Sequence, residues 1–412
     1  MYRSLAFLFA LAALVLLPAE AWASEAGLRA KLDQSMRAAG SFSGAYVENV
    51  TAGHTVFRSR HTSPRILASN TKLYTTAAAL ARFGTDGKLN TDVHGDGELT
   101  TNGTYRGNLY LVGGGDPTFG SRRFARRAYG GGGTVEGLAV QLEEAGIERV
   151  TGRVFGDAAA HDSLRGGPDS GFGVSIYVGP LSGLSYNRGL ATESGRGYQA
   201  TPPAFAAARL DDALERRGIA VRRAPLAKRR PPDTEELAVA ESPPMDRLVK
   251  LTNKPSDNFF AELLLKDLAM QASGLGTTRG GARLAAGFAR RLGAAPAALT
   301  DGSGLSRGNR ASPVRVAKFL LALREREEFP AFSDSLSIAG VDGTLGPRMR
   351  RGPARGRCRG KTGTLSNVST VSGYCRALSG DTYVFSVLMN GVNPYGARLL
   401  QDGMLQAIAG VS

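Results

Sequence analysis

Apolar residues change their spacing several times along this chain, and each change marks an element. An uncharged apolar run from Leu5 to Leu17 stands first. It is too short for a comfortable membrane span. Arg3 before it and Ala21-Trp22-Ala23 after it fit a secretory leader at residues 1–23, cleaved after Ala23. An uncleaved anchor is the alternative. Helical spacing follows at residues 27–37, then a strand pair over residues 42–57 that turns at Thr51-Ala52-Gly53. Residues 71–83 are a run of helix formers that stops at Gly84.

From residue 88 to 240 the texture differs. Short β-like runs at 109–112, 149–155 and 221–223 are separated by glycine turns, Gly113-Gly114-Gly115-Asp116-Pro117 and Gly130 to Gly133. A glycine-rich stretch can cradle phosphate, but neither run leads into G-K-[ST], so both read as turns. Helices at 135–145 and 203–218 punctuate the segment. We read residues 88–240 as a β-rich domain inserted into a discontinuous one made of 24–87 and 241–412.

Long helical patterns return at 245–253 and 258–270, split by Pro255, which leaves Ser256-Asp257 on a loop. Helices at 277–292 and 313–324 follow. Strands are expected at 359–365, 368–376 and 383–389, and an apolar-faced helix at 397–409 closes the chain. An antiparallel sheet flanked by helices, an α+β fold, is the layer arrangement that suits this order. After the leader, no other apolar stretch is long enough for a transmembrane anchor, so the mature chain reads as soluble and exported.

The formal net charge is +15. A basic surface favours anionic partners, and in an export compartment these are wall polymers and phospholipid faces. No nucleic-acid module is present, and Arg222-Arg223 with Lys228-Arg229-Arg230 reads as a solvated basic loop. The four histidines are scattered, with no C-x-x-C or H-E-x-x-H, which speaks against a metal site. The two cysteines, Cys358 and Cys375, flank a lysine-threonine-glycine segment. If that segment and 368–376 form a hairpin turning at Ser366-Asn367, the cysteines fall opposite each other. An oxidising compartment permits a disulfide there; two buried thiols are the other reading.

Three strings carry the chemistry: Ser69-Asn70-Thr71-Lys72, Ser256-Asp257-Asn258 and Lys361-Thr362-Gly363. They read S-x-x-K, S-x-N and K-T-G, the set of penicillin-binding proteins and class A β-lactamases. Singly, each has an ordinary reading: a capping serine, a turn, a strand lysine. Their order and settings carry the case. Ser69 stands at a helix N-terminus with Lys72 one turn on, on the same face. The lysine amine can take the hydroxyl proton if burial and a nearby cation, Lys361, lower its pKa. Ser256 and Asn258 can relay a proton and hold a substrate amide. Lys361 and Thr362 can hold a carboxylate. The backbone N–H groups of Ser69 and Thr364, beside Gly363, are candidate oxyanion donors.

The flanks extend the match. They include residues 68–73 (A-S-N-T-K-L), 109–118 (L-Y-L-V-G-G-G-D-P-T), 181–187 (L-S-G-L-S-Y-N), 253–258 (N-K-P-S-D-N), 301–307 (D-G-S-G-L-S-R), 339–345 (A-G-V-D-G-T-L) and 360–365 (G-K-T-G-T-L). On these residues the chain resembles the class C low-molecular-mass penicillin-binding proteins, the D-alanyl-D-alanine carboxypeptidase/endopeptidase family. The resemblance implies a penicilloyl-transferase (β-lactamase-like) fold and an acyl-Ser69 intermediate. Lys72 would be the general base, and Ser256, Asn258 and Lys361 the rest of the core. It implies peptidoglycan stem peptides as substrates, β-lactam antibiotics as covalent inhibitors, a periplasmic location and no cofactor. Arg307 would help read a diaminopimelate side chain. Family members often carry a third, small β-domain after L-S-x-N; the short stretch before residue 203 leaves no room for one. A β-lactamase or esterase on the same fold, and a non-catalytic wall-binding protein, are the competing functions. The first needs a deacylating residue that the sequence does not reveal; the second has no use for a serine–lysine pair.

Overall fold

The computed structural model describes residues 24–412, so the expected leader lies outside the described residues. The fold is α+β. Its six-stranded sheet is antiparallel throughout, with strands in the order Ser337–Ile338, Cys358–Leu365, Val368–Arg376, Thr382–Asn390, Gly44–Asn49 and His54–Ser59. Both faces are covered, which explains the nearly continuous apolar run of the Thr382–Asn390 strand, broken only by Ser386 between residues 383 and 389. Along it Tyr383, Phe385, Val387 and Met389 enter one core with the Glu25–Ala38 and Pro394–Ala409 helices. The intervening Val384 and Leu388 enter the other, with Tyr74, Phe260 and Phe319 from the opposite helical layer. Cys358 and Cys375 are register partners and form a disulfide. The hairpin turns at Ser366-Asn367, with Asn367 at φ 54°.

Residues 90–241 build a separate seven-stranded sheet with its own core. It is not a simple set of hairpins. Arg149–Asp157 runs parallel to both Leu109–Gly113 and Ala220–Ala227. Parallel neighbours need a crossover, and a helix is the usual one. Val135–Glu144 and Pro202–Glu215 are those crossovers, and Leu138, Leu142 and Leu210 pack them onto Leu109, Leu111 and Val154. Between Asn187 and Pro202 the described chain makes a short turn and the isolated bridge Leu190–Tyr198, without a further sheet.

Candidate active site

The six-stranded sheet ends its pairing early beside the Thr71–Phe83 helix. Ser337–Ile338 pairs only with Arg359 and Gly360, so the edge of Cys358–Leu365 from Lys361 onward is open. Backbone groups along an open edge are available to pair with an extended ligand. Facing this edge is the turn Ala68–Asn70, which leads into the Thr71–Phe83 helix. Asn70 ties the two together, its Nδ2 donating to the Lys361 carbonyl at 2.9 Å and to Thr370 Oγ1 at 2.9 Å. Gly363 lies against the turn so closely that a Cβ there would sit 2.7 Å from the Ser69 nitrogen.

Helical spacing then sets the serine–lysine pair. Lys72 Nζ lies 3.1 Å from Ser69 Oγ. It also donates to Asn258 Oδ1 at 2.7 Å and to the Ser303 carbonyl at 2.6 Å. Asn258 opens the Asn258–Ser273 helix, capped by Asp257, which accepts the Phe260 N–H at 3.0 Å. Ser256, just before, has φ 64°. Its hydroxyl accepts from Lys361 Nζ at 2.8 Å, and Lys361 also donates to the Thr362 carbonyl at 2.9 Å. All three motifs therefore meet in one polar chain.

Both lysines are wholly buried. Burial pushes the Lys72 amine down to about 8, against the opposing pull of Asp301, Glu262 and Asp257. Burial, and then the charge of Lys72, push Lys361 well below its ordinary value. Of the two causes expected from the sequence, burial and the Lys361 cation, burial is the one that lowers Lys72.

The sequence reading missed two carboxylates that support this lysine. Glu262 is buried and accepts the Ser303 N–H at 2.8 Å, which fixes the carbonyl that holds Lys72. Asp301 accepts the Gly304 and Ser306 N–H groups, each at 2.7 Å. Burial raises both carboxyls, Asp301 to about 7. A signal existed: Glu262 is an acid set among apolar residues on a helix buried almost all round, and Asp301 opens the D-G-S-G-L-S string.

The cleft holds about 670 Å³ and is lined by Ser69, Ser256, Asn258 and residues 362–366 together with Asp169, Tyr177, Leu305 and Arg307. Asn258 Nδ2 donates to the Tyr177 carbonyl at 3.0 Å, so the inserted region forms one lip. Arg307 donates to Asn367 Oδ1 at 3.1 Å and to the Ser366 carbonyl at 2.6 Å, bracing the hairpin turn. Thr362 Oγ1 lies 2.7 Å from Thr344 Oγ1, and Thr364 Oγ1 accepts from Arg398 at 3.1 Å. A second hollow of about 430 Å³ shares Thr344, Thr362 and Thr364 with the cleft and runs under Tyr395 and Arg398.

Comparison with known proteins points the same way. The sequence profile of the D-Ala-D-Ala carboxypeptidase 3 (S13) family matches residues 25–194 and 188–411. A D-alanyl-D-alanine carboxypeptidase of Actinomadura sp. (strain R39) is 27% identical over 90% of this chain and 81% of its own length. A carboxypeptidase of Mycobacterium tuberculosis is 26% identical, covering 82% of this chain and 74% of that one. In three dimensions the chain is similar to penicillin binding protein 4 from Haemophilus influenzae, with a TM-score of 0.77, 19% identity, and coverage of 90% of this chain and 97% of that one.

Proposed function

Since the chain belongs to the D-Ala-D-Ala carboxypeptidase 3 (S13) family, we propose that it is a serine D,D-peptidase that cleaves peptidoglycan stem peptides through acyl-Ser69. The observation that carries this reading is the reach of Lys72 Nζ to both Ser69 Oγ, at 3.1 Å, and Asn258 Oδ1, at 2.7 Å. Neutral Lys72 takes the Ser69 proton as Oγ attacks the D-alanyl carbonyl. The Ser69 and Thr364 N–H groups receive the oxyanion. Ser256, joined to Lys361, passes a proton to the leaving amine, and water then releases the acyl group. Lys361 and Thr362 hold the carboxylate beside the scissile bond. Arg307 and Asp169 offer opposite charges along the cleft, which suits the zwitterionic end of diaminopimelate. Crosslinks between D-Ala and diaminopimelate are then substrates beside D-Ala-D-Ala.

The separate cores support residues 24–87 and 241–412 as the peptidase domain and 88–240 as its insertion. The leader pattern at residues 1–23 supports export to the periplasm. Among the described residues no helix is long and apolar enough to cross a membrane.

Labelling with a fluorescent penicillin, wild type beside Ser69→Ala, tests the reading. A lasting one-to-one adduct on wild type alone is expected. Rapid loss of label with hydrolysis of the drug would mean a β-lactamase. No adduct at all would remove Ser69 as nucleophile and leave a wall-binding protein.

A further inference from the structure

Arg188 lies outside the three motifs and does not line the cleft, yet it grips the second motif from the inserted region. Its Nη1 donates to Asp257 Oδ2 at 2.6 Å and its Nη2 to Asp257 Oδ1 at 3.2 Å. The two side chains are only 28% and 17% exposed. The guanidinium also lies 5.1 Å from the centre of the Phe259 ring and 5.7 Å from that of Phe260. Planar bidentate pairing combined with ring stacking is what a lysine would not reproduce. Asp257 stands between Ser256 and Asn258, and the same carboxylate caps the helix that begins with Asn258. One guanidinium therefore fixes the residue that aims both catalytic-loop side chains.

The backbone is bent to deliver it. Asn187, Arg188 and Gly189 have φ of 47°, 59° and 71°, three successive left-handed residues. Side chains disfavour that region, so the surroundings must hold it. Asn187 Oδ1 accepts the Ser121 N–H at 2.9 Å, and the Asn187 N–H donates to the Phe119 carbonyl at 3.0 Å. Left-handed non-glycine residues of this kind gather where a side chain must be aimed.

The pairing also has an electrostatic side. Asp301, Glu262 and then Asp257 are the carboxylates whose charge favours the Lys72 ammonium, while the Lys72 charge in turn pushes the Lys361 amine down. Glu262 and Asp301 face Lys72 from the apolar helix and the D-G-S-G-L-S loop, and burial raises both. Asp257 is the one matched by a guanidinium. Beside Arg188 the Tyr129 phenol is kept neutral by burial. We propose that Arg188 is a positioning residue for the reaction: from the inserted region it fixes the Ser256–Asn258 loop and screens Lys72 from the Asp257 charge. This rests on Ser69 and Lys72 acting as nucleophile and base.

The test is the second-order rate of penicillin acylation against pH, in the full chain, for Arg188→Met, Arg188→Lys, Asp257→Asn and the Arg188→Met/Asp257→Asn double variant. In Arg188→Met the plateau should fall by roughly 10- to 100-fold, as for a displaced catalytic group. Its acid limb should move up by roughly one pH unit, since a bare carboxylate now favours the ammonium. Arg188→Lys should keep the wild-type limb with a lowered plateau. The double variant should bring the limb back. Asp257→Asn alone should move it down, because the guanidinium then stands unpaired. A lowered plateau with an unmoved limb in Arg188→Met would reduce Arg188 to a packing role and overturn the proposal. So would wild-type kinetics in that variant. If Arg188→Met gives no cooperative unfolding transition, Asp257→Asn decides, and an unmoved limb there overturns the proposal. Failure of the wild type to be acylated would remove the peptidase reading and this inference together; an active wild type with an indifferent Arg188 removes this inference alone.

Discussion

The Asn258–Ser273 helix carries two buried polar clusters that differ in one respect. At its start, Asn258 and Glu262 serve the cleft, holding Lys72 directly and through Ser303. Further along, Lys266 and Asp267 meet the inserted region. Lys266 Nζ donates to the Leu164 carbonyl at 3.0 Å and pairs with Asp162 at 2.5 Å. Asp267 Oδ1 lies 2.7 Å from His161 Nε2, with both side chains at 0% exposure. Gly115 closes over this pair, where a Cβ would come within 1.9 Å of Asp267 Oδ1. Burial pushes His161 down to about 3, Asp116 up to about 7 and Asp267 well above its ordinary value. In both clusters burial pushes carboxyls up and basic groups down. The second differs in its neighbours: a hollow of about 490 Å³ reaches His161 and Asp162, but none of the three motifs lines it. Perturbed titration marks burial; an open side next to a reacting atom marks chemistry.

That contrast can be broken by substitution. Lys72→Ala should lower the acylation rate by roughly 10²- to 10⁴-fold, the range for loss of a general base, with the unfolding transition retained. Gly363→Ala comes next. Its Cβ would meet Thr370 Oγ1 at 2.4 Å and the Ser69 nitrogen at 2.7 Å, so the strand must retreat from the serine. A loss on the order of 100-fold is expected from such a displacement, read as acylation per folded molecule; a near-normal rate would separate the serine amide from the reaction.

The pH profile sharpens the comparison. Lys72 is pushed down to about 8, and only its neutral form accepts the Ser69 proton. The rate should therefore climb through that value as pH rises and fall about tenfold for each pH unit below it. A flat profile down to acid pH would show that the amine is not the base. The smallest effect on rate belongs to the second cluster. Asp267→Ala should cost about 1–3 kcal/mol of stability, as for an uncompensated buried partner, in a urea titration. Its acylation rate should stay within about twofold of wild type, since distant sites act independently. A catalytic loss as large as that of Gly363→Ala would make the second cluster part of the machinery.

Much of the catalytic half could be read from spacing alone. Thr71–Phe83, Met245–Asn253 and Val368–Arg376 form where the pattern puts them, because the Gly84 stop, the prolines at 244 and 255 and the β-branched run from Val368 act locally. The hairpin register that pairs the cysteines was legible for the same reason. The inserted sheet was read less well. Asn90–Gly95 and Glu235–Glu241 are polar strands that exist through each other, and nothing in either segment alone announces the pairing. Arg122–Tyr129 buries little beyond Phe124, Ala125 and Tyr129, so its arginines hide its helical stripe. In the site, the three motifs were visible as strings. Asp169, Tyr177 and Arg188 were not, since they reach the cleft or its loop from another sheet's connections.

The chain order of the six-stranded sheet has a consequence for biosynthesis. Gly44–Asn49, among the first elements made, pairs with Thr382–Asn390, among the last. Ser69 thus emerges early, but the strand that bears Lys361 and the partner that closes the sheet emerge late. Contacts so remote in sequence form slowly and only when both ends are present. A growing or partly translocated chain holds its serine without a cleft, and the molecule becomes reactive in a single late step, after its C-terminal strands arrive.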